Sequence, residues 1–158
     1  MTSQEHASPE SRLAELGITL PEPPAPAAAY VPFVRAGDLI FTAGQVAVGP
    51  DGLVAEGIVG AGVDLDTAVA CARQCAINVM AQLKAAVGDL SQVRRIVKLT
   101  VFVASDPSFT QQHLVANGAS ELIGEVFGEH GRHARSAVAA PSLPTNTPVE
   151  VEAIAEVG

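Results

Sequence analysis

The chain has 158 residues, 48% hydrophobic and only 16% charged, with a formal net charge of −8. That length suits one domain needing no disulfide or metal staple, and a charged share below the usual about 25% implies surface hidden against further copies of the chain. The acidic balance and the lack of Trp argue against nucleic acid, and no apolar run approaches the ~18 residues of a membrane span, so a cytoplasmic protein with neither partner is expected.

In chain order, residues 1 to 12 read as a loose tail. "SRLAELGI" then offers a Ser N-cap, one or two helical turns and a stop at Gly17. "LPEPPAPAAA" holds four prolines in ten residues and must be an extended connector. "YVPFVRAGDLIFTAGQVAV" predicts strands at about 31–35 and 38–43, joined by a tight Ala36-Gly37-Asp38 turn, and "GPDGLVAEG" a second turn with a short strand.

From Asp64 to Val87, apolar residues at Leu65, Val69, Ala72, Ala76, Val79, Met80 and Leu83 recur at helical spacing. Asp64 or Asp66 can cap this helix and Gly88 can stop it. Cys71 and Cys75 share one of its faces but are poorly placed for a disulfide, and they read as small core residues. "VRRIVKLTVFVAS" predicts a strand at 93–104, broken by Asp106-Pro107, with a second helix from Ser108 to about Phe127. "GEHGRH" leads into a strand at 134–139, and "VEVEAIAEV" closes the chain as another. Phe33, Phe41, Phe102 and Phe127 read as core. The order of strands and helices makes an α+β fold, a mixed sheet with both helices on one face and the other face bare for a partner.

Three segments in this order, "FTAGQ" (41–45), "VKLTVFV" (97–103) and "ARSAV…LP…VEVEAIA" (134–155), resemble the RidA/YjgF family of reactive intermediate deaminases. The resemblance runs over about residues 28 to 157, leaving 1–27 as an N-terminal extension and 28–158 as the family-like domain. It implies a chorismate mutase-like homotrimer with a barrel core and ligand clefts between subunits. It also implies hydrolysis of 2-enamino and 2-imino acids to 2-keto acids and ammonia, with no metal and no organic cofactor.

The same resemblance implies the roles of individual residues. Arg135, in "ARS", clamps the substrate carboxylate, which a guanidinium can meet with two parallel N–H donors. Glu150 holds the attacking water and shuttles a proton; Glu152 shares its strand face, so alternation alone does not separate the two. Gly44 offers its backbone carbonyl to the substrate nitrogen, and Tyr30 closes the cleft. Asn117 matches the family asparagine of the second helix, with Ser120 its rival by spacing.

Departures from the family pattern are His133 in place of the usual Pro and Ala137 in place of a frequent Cys. His130 and His133 invite a metal reading but lack a third ligand at a convincing spacing. The expected partner is a small carboxylate substrate. A non-catalytic trimer binding keto acids is the alternative, and ribonuclease activity, attached to some family members, fits poorly with the charge.

Overall fold

Val149, Val151, Ala153, Ala155 and Val157 alternate with Glu150, Glu152, Ile154 and Glu156, a period of two that gives a strand one apolar face. In the computed structural model, which describes residues 7–23 and 29–158, the first set is buried and the second half-buried. Among the described residues this strand is the last of ten.

Before it come helix α1 (Pro9–Glu15) and strands β1 (Phe33–Ala36), β2 (Leu39–Thr42) and β3 (Gln45–Val46). Two small ladders follow, β4 (Val48–Gly49) with β5 (Gly52–Leu53), and β6 (Ile58–Val59) with β7 (Gly62–Val63). Helix α2 (Leu65–Val87), β8 (Val93–Ala104), α3 (Gln112–Phe127), β9 (Ala134–Ala140) and β10 (Val149–Val157) complete the order. The main sheet runs β1-β2-β10-β8-β9, with β3 also paired to β10. β9 lies parallel to β8, the crossover being α3, and the other pairs are antiparallel.

One face of this sheet carries both long helices. Leu99, Val101 and Val103 of β8 and alternate residues of β10 meet Cys71, Cys75, Val79 and Met80 of α2 and Val115, Leu122 and Ile123 of α3 in one core. The two helices cross at Gly118, where a Cβ would run into the carbonyl oxygen of Val69, so only glycine lets the backbones come this close. Both cysteines are buried and free, and the Cys75 thiol donates to the Val149 carbonyl at 3.4 Å.

Among the described residues the opposite face carries no helix. Cross-strand pairing aligns Val34, Phe41 and Ile154 in one row, and Val46, Glu150, Phe102 and Val138 in another. Phe41 is 39% exposed and Val138 45%. Phe41 and Phe102 are therefore not core: strand parity turns both toward the bare face, while Phe33 and Phe127 pack against the core.

The termini of the helices depart from the sequence reading in two places. α1 begins at Pro9, capped by Ser8 rather than Ser11, because the Ser8 hydroxyl accepts from the Ser11 amide and Pro suits the first helical position. Residues 9–12 are thus helical, not tail; residues 1–6, and part of the proline-rich connector at 24–28, lie outside the described residues. α3 begins at Gln112, not Ser108, whose amide and hydroxyl both donate to the Asp106 carboxylate in a local turn. For α2 the cap is Asp64, accepting from Thr67 N–H at 2.8 Å, and Gly88 ends it with φ 86°.

Helix α1 packs on α3 and the segment before β8. Leu13 is buried in the core, Glu10 Oε1 accepts from the Leu90 amide at 2.6 Å, and Arg12 donates to the Glu125 carbonyl. Among the described residues no helix is long and apolar enough to cross a membrane.

Candidate active site

β9 is an edge strand beneath α3, so a long side chain on its helix-facing side meets that helix. Arg135 is paired with Leu99, whose side chain is in the core, and so points to the helix side. Its Nη1 donates to Asn117 Oδ1 at 2.9 Å and to Ser120 Oγ at 3.1 Å, and its Nη2 donates to the His113 carbonyl at 3.2 Å. Those acceptors sit on successive turns of α3, spaced so that one planar guanidinium reaches all three. Asn117 and Ser120, rivals by sequence spacing, both stand against Arg135. Three of its five N–H donors are used; Nε–H and one Nη2–H have no acceptor among the described residues.

His133 extends this network. Its Nδ1 lies 2.6 Å from the Gly131 carbonyl, which can only accept, so Nδ1 carries a proton. In the neutral ring Nε2 then accepts the hydroxyl proton of Ser120 at 2.8 Å, while the hydroxyl oxygen receives Arg135. A proline here could do none of this. His130 turns elsewhere, its Nδ1 2.8 Å from the Arg94 carbonyl, so the two histidines do not converge.

Glu150 and Gly44 form a second cluster on the bare face. The β2–β10 register (Phe41↔Ile154) and the β3–β10 register (Val46↔Glu150) differ by one residue, an irregularity at Ala43-Gly44. Thr42 Oγ1 accepts the Ala153 amide at 3.0 Å across this break, so no buried donor is orphaned. The extra residue turns Gly44 toward Glu150: a Cβ on Gly44 would lie 2.5 Å from Glu150 Oε1. Sequence reasoning attached Gly44 to its carbonyl, and the room it leaves for a carboxyl group was not legible there.

Burial, and secondarily the neighbouring Glu152 carboxylate, raise the Glu150 carboxyl above its ordinary value of 4.5. A raised carboxyl pKa suits a group that must both take up and release a proton.

Within one protomer the two clusters do not meet. β8 lies between β9 and β10, so the strands are not adjacent, and Arg135 and Glu150 point to opposite faces of the sheet. Their partners on β8, Leu99 and Phe102, add about 10 Å along the strand at roughly 3.3 Å per residue. Tyr30, 59% exposed just ahead of β1, makes no side-chain hydrogen bond among the described residues.

An α+β sheet with one helix-covered face, a half-tethered arginine at its edge and a carboxyl group on its bare face defines a small domain of mixed sheet and two long helices. The family described as "YjgF/chorismate_mutase-like", which also carries an endoribonuclease label, matches residues 10–157, and the chain belongs to it. The protein TCP17 of Trypanosoma cruzi is 48% identical, over 92% of each chain. A 2-iminobutanoate/2-iminopropanoate deaminase of Salmonella typhimurium is 37% identical, over 84% of this chain and 90% of its own. Among solved structures, Atu1372 of Agrobacterium tumefaciens, a protein of unknown function, superposes with a TM-score of 0.89 at 51% identity, covering 95% of this chain and 92% of that one.

Proposed function

We propose that the protein hydrolyses 2-imino and 2-enamino acids to 2-keto acids and ammonia in clefts between the subunits of a homotrimer. The observation that carries this reading is the arginine. Arg135 is held by three acceptors of α3, yet keeps two N–H donors for a carboxylate. Glu150, with its raised carboxyl, stands against Gly44 and faces the surface that a neighbouring subunit would cover. Each cleft would take Arg135 and Asn117 from one subunit and Gly44, Glu150 and Tyr30 from the next.

In that cleft the substrate carboxylate lies on Arg135 and the imine carbon faces a water held by Glu150. Glu150 in its carboxylate form takes a proton from this water as oxygen adds to carbon, and then returns it to the nitrogen. The carbinolamine then collapses: its C–N bond breaks as the C=O bond forms, the hydroxyl proton passes through Glu150 to the departing nitrogen, and ammonia and the keto acid remain. The Gly44 carbonyl accepts from the substrate N–H.

A ribonuclease reading draws less support: a net charge of −8 repels the polyanion, and one Tyr with no Trp supplies little stacking surface. Binding of a keto acid's carboxylate alone would gain nothing from a second anion nearby.

The test is keto-acid release from 2-iminobutyrate generated in situ by a dehydratase. Wild type should accelerate release. Arg135→Ala should lose binding worth about 2–5 kcal/mol, a fall of about 30-fold or more in kcat/KM. Glu150→Gln should bind 2-ketobutyrate but not accelerate release. A wild-type protein that binds 2-ketobutyrate through Arg135 without accelerating release would make it a binder rather than an enzyme.

A further inference from the structure

Beside Arg135 the surface opens into a recess of about 340 Å³, lined by Ser120, Gly124, Gly131, Arg132, His133 and Arg135. Its lining residues are two glycines, a serine, a histidine and two arginines. The two glycines line it for different reasons. At Gly131 a Cβ would stand 2.6 Å from the Ile123 carbonyl, so packing requires the glycine. At Gly124 a Cβ would meet nothing within 4 Å. A glycine inside a helix costs about 1 kcal/mol relative to alanine, and here no packing contact accounts for it. Its effect is to keep the recess open one turn beyond Ser120.

The chemistry of the lining is cationic. His133 is saturated by Gly131 and Ser120, as described above, and holds the back of the recess rigid. Arg132 is tethered only loosely: its Nη1 lies 3.7 Å from Glu129 Oε2, with both side chains more than four-fifths exposed. A pair so exposed is weak and yields readily to a better-placed anion. Arg135 lines the same opening.

Resting on the deaminase reading of Arg135, we infer that this recess receives the substrate's side chain and selects 2-imino acids whose side chain ends in a second carboxylate, which Arg132 meets. Arg132 gives a side-chain carboxylate a partner there that an aliphatic side chain cannot use, and a bulky residue at position 124 would fill the space that glycine keeps open.

The experiment is calorimetric binding of 2-ketoglutarate and 2-ketobutyrate, the dicarboxylic and monocarboxylic keto acids, to wild type, Gly124→Leu and Arg132→Ala. Wild type should bind 2-ketoglutarate about tenfold more tightly, the scale of one added charge-assisted contact. Both variants should bring that ratio close to one. Gly124→Leu should melt no lower than wild type, since leucine is the better helix former and its Cβ enters open space. A wild-type ratio of one or less, with 2-ketobutyrate bound, would overturn the recess inference and leave the deaminase reading standing. A ratio that survives in both variants would overturn it too. Binding of neither keto acid would remove both readings together.

Discussion

Replacing Gly44 by alanine adds one methyl group, and the structure says where it goes. The new Cβ would stand 2.5 Å from Glu150 Oε1, 2.8 Å from its Cδ and 3.0 Å from its Cγ. Ordinary contact begins at 3.4 Å, so the carboxyl oxygen must retreat by about 0.9 Å. Nothing in the backbone stands in the way, and the displaced group is the end of a flexible, half-buried side chain. The cost to the fold is then that of a shifted rotamer, about 0.5–1.5 kcal/mol. At roughly 2–4 °C per kcal/mol for a chain of this size, the melting temperature should fall by no more than about 6 °C. Chemistry is less forgiving: moving a reacting group by about 1 Å can cost on the order of a hundredfold in rate. Gly44→Ala should therefore lose about a hundredfold in kcat/KM for 2-iminobutyrate, measured by keto-acid release, while remaining folded. The variant keeps its Gly44-position carbonyl, so the loss would belong to the displaced carboxyl group. Undiminished activity would refute the placement of Glu150 in the reaction. A melting temperature lower by more than about 10 °C would refute the claim that its side chain can yield.

Two further outcomes follow from the same contacts. Burial holds the Glu150 carboxyl protonated in the folded chain at pH values where the unfolded chain has already lost the proton. Stability from this group is therefore complete below the ordinary value of 4.5 and is lost as pH rises through the raised folded value. Glu150→Gln should match wild type in urea melts near pH 4 and exceed it near pH 8; a constant difference across that range would contradict the raised pKa. Gly118→Ala drives a Cβ into the backbone carbonyl of Val69, which no rotamer change relieves. It should destabilise by about 1–3 kcal/mol and lower the melting temperature by several degrees in calorimetry, and an unchanged melt would show that the α2–α3 crossing is looser than described.

How far the sequence could be read depended on whether the deciding interaction was local. α2 was legible from Asp64 to Gly88 because its cap, its apolar stripe and its stop all lie within the segment. β10 was legible for the same reason. Ser8 and Pro9 carried a local signal that favoured a start earlier than Ser11. The site was harder to read. Asn117 and Ser120 could not be told apart by spacing, because the choice belongs to a guanidinium arriving from β9 that reaches both. Strand alternation placed Glu150 on one face of β10 but could not say that Arg135 would face the other way. Facing is fixed by register against β8, and register is a property of the whole sheet. The turn of Gly44 toward Glu150 follows from one extra residue in the β2–β3 edge, visible only once both registers are known. His133 was noticed as a departure, and its partner Ser120 became apparent only when α3 and the loop before β9 were seen side by side.

Arg135 and Glu150 on opposite faces of one sheet have a genetic consequence. If every cleft draws the arginine from one chain and the glutamate from its neighbour, an arginine-null and a glutamate-null chain are each dead alone yet complementary in mixture. In randomly mixed trimers about one cleft in four pairs the intact arginine of one chain with the intact glutamate of the other. Two inactive alleles expressed in one cell would then restore part of the activity neither possesses. A harmful substitution on one side of the sheet could persist in a mixed population, sheltered by a partner damaged on the other.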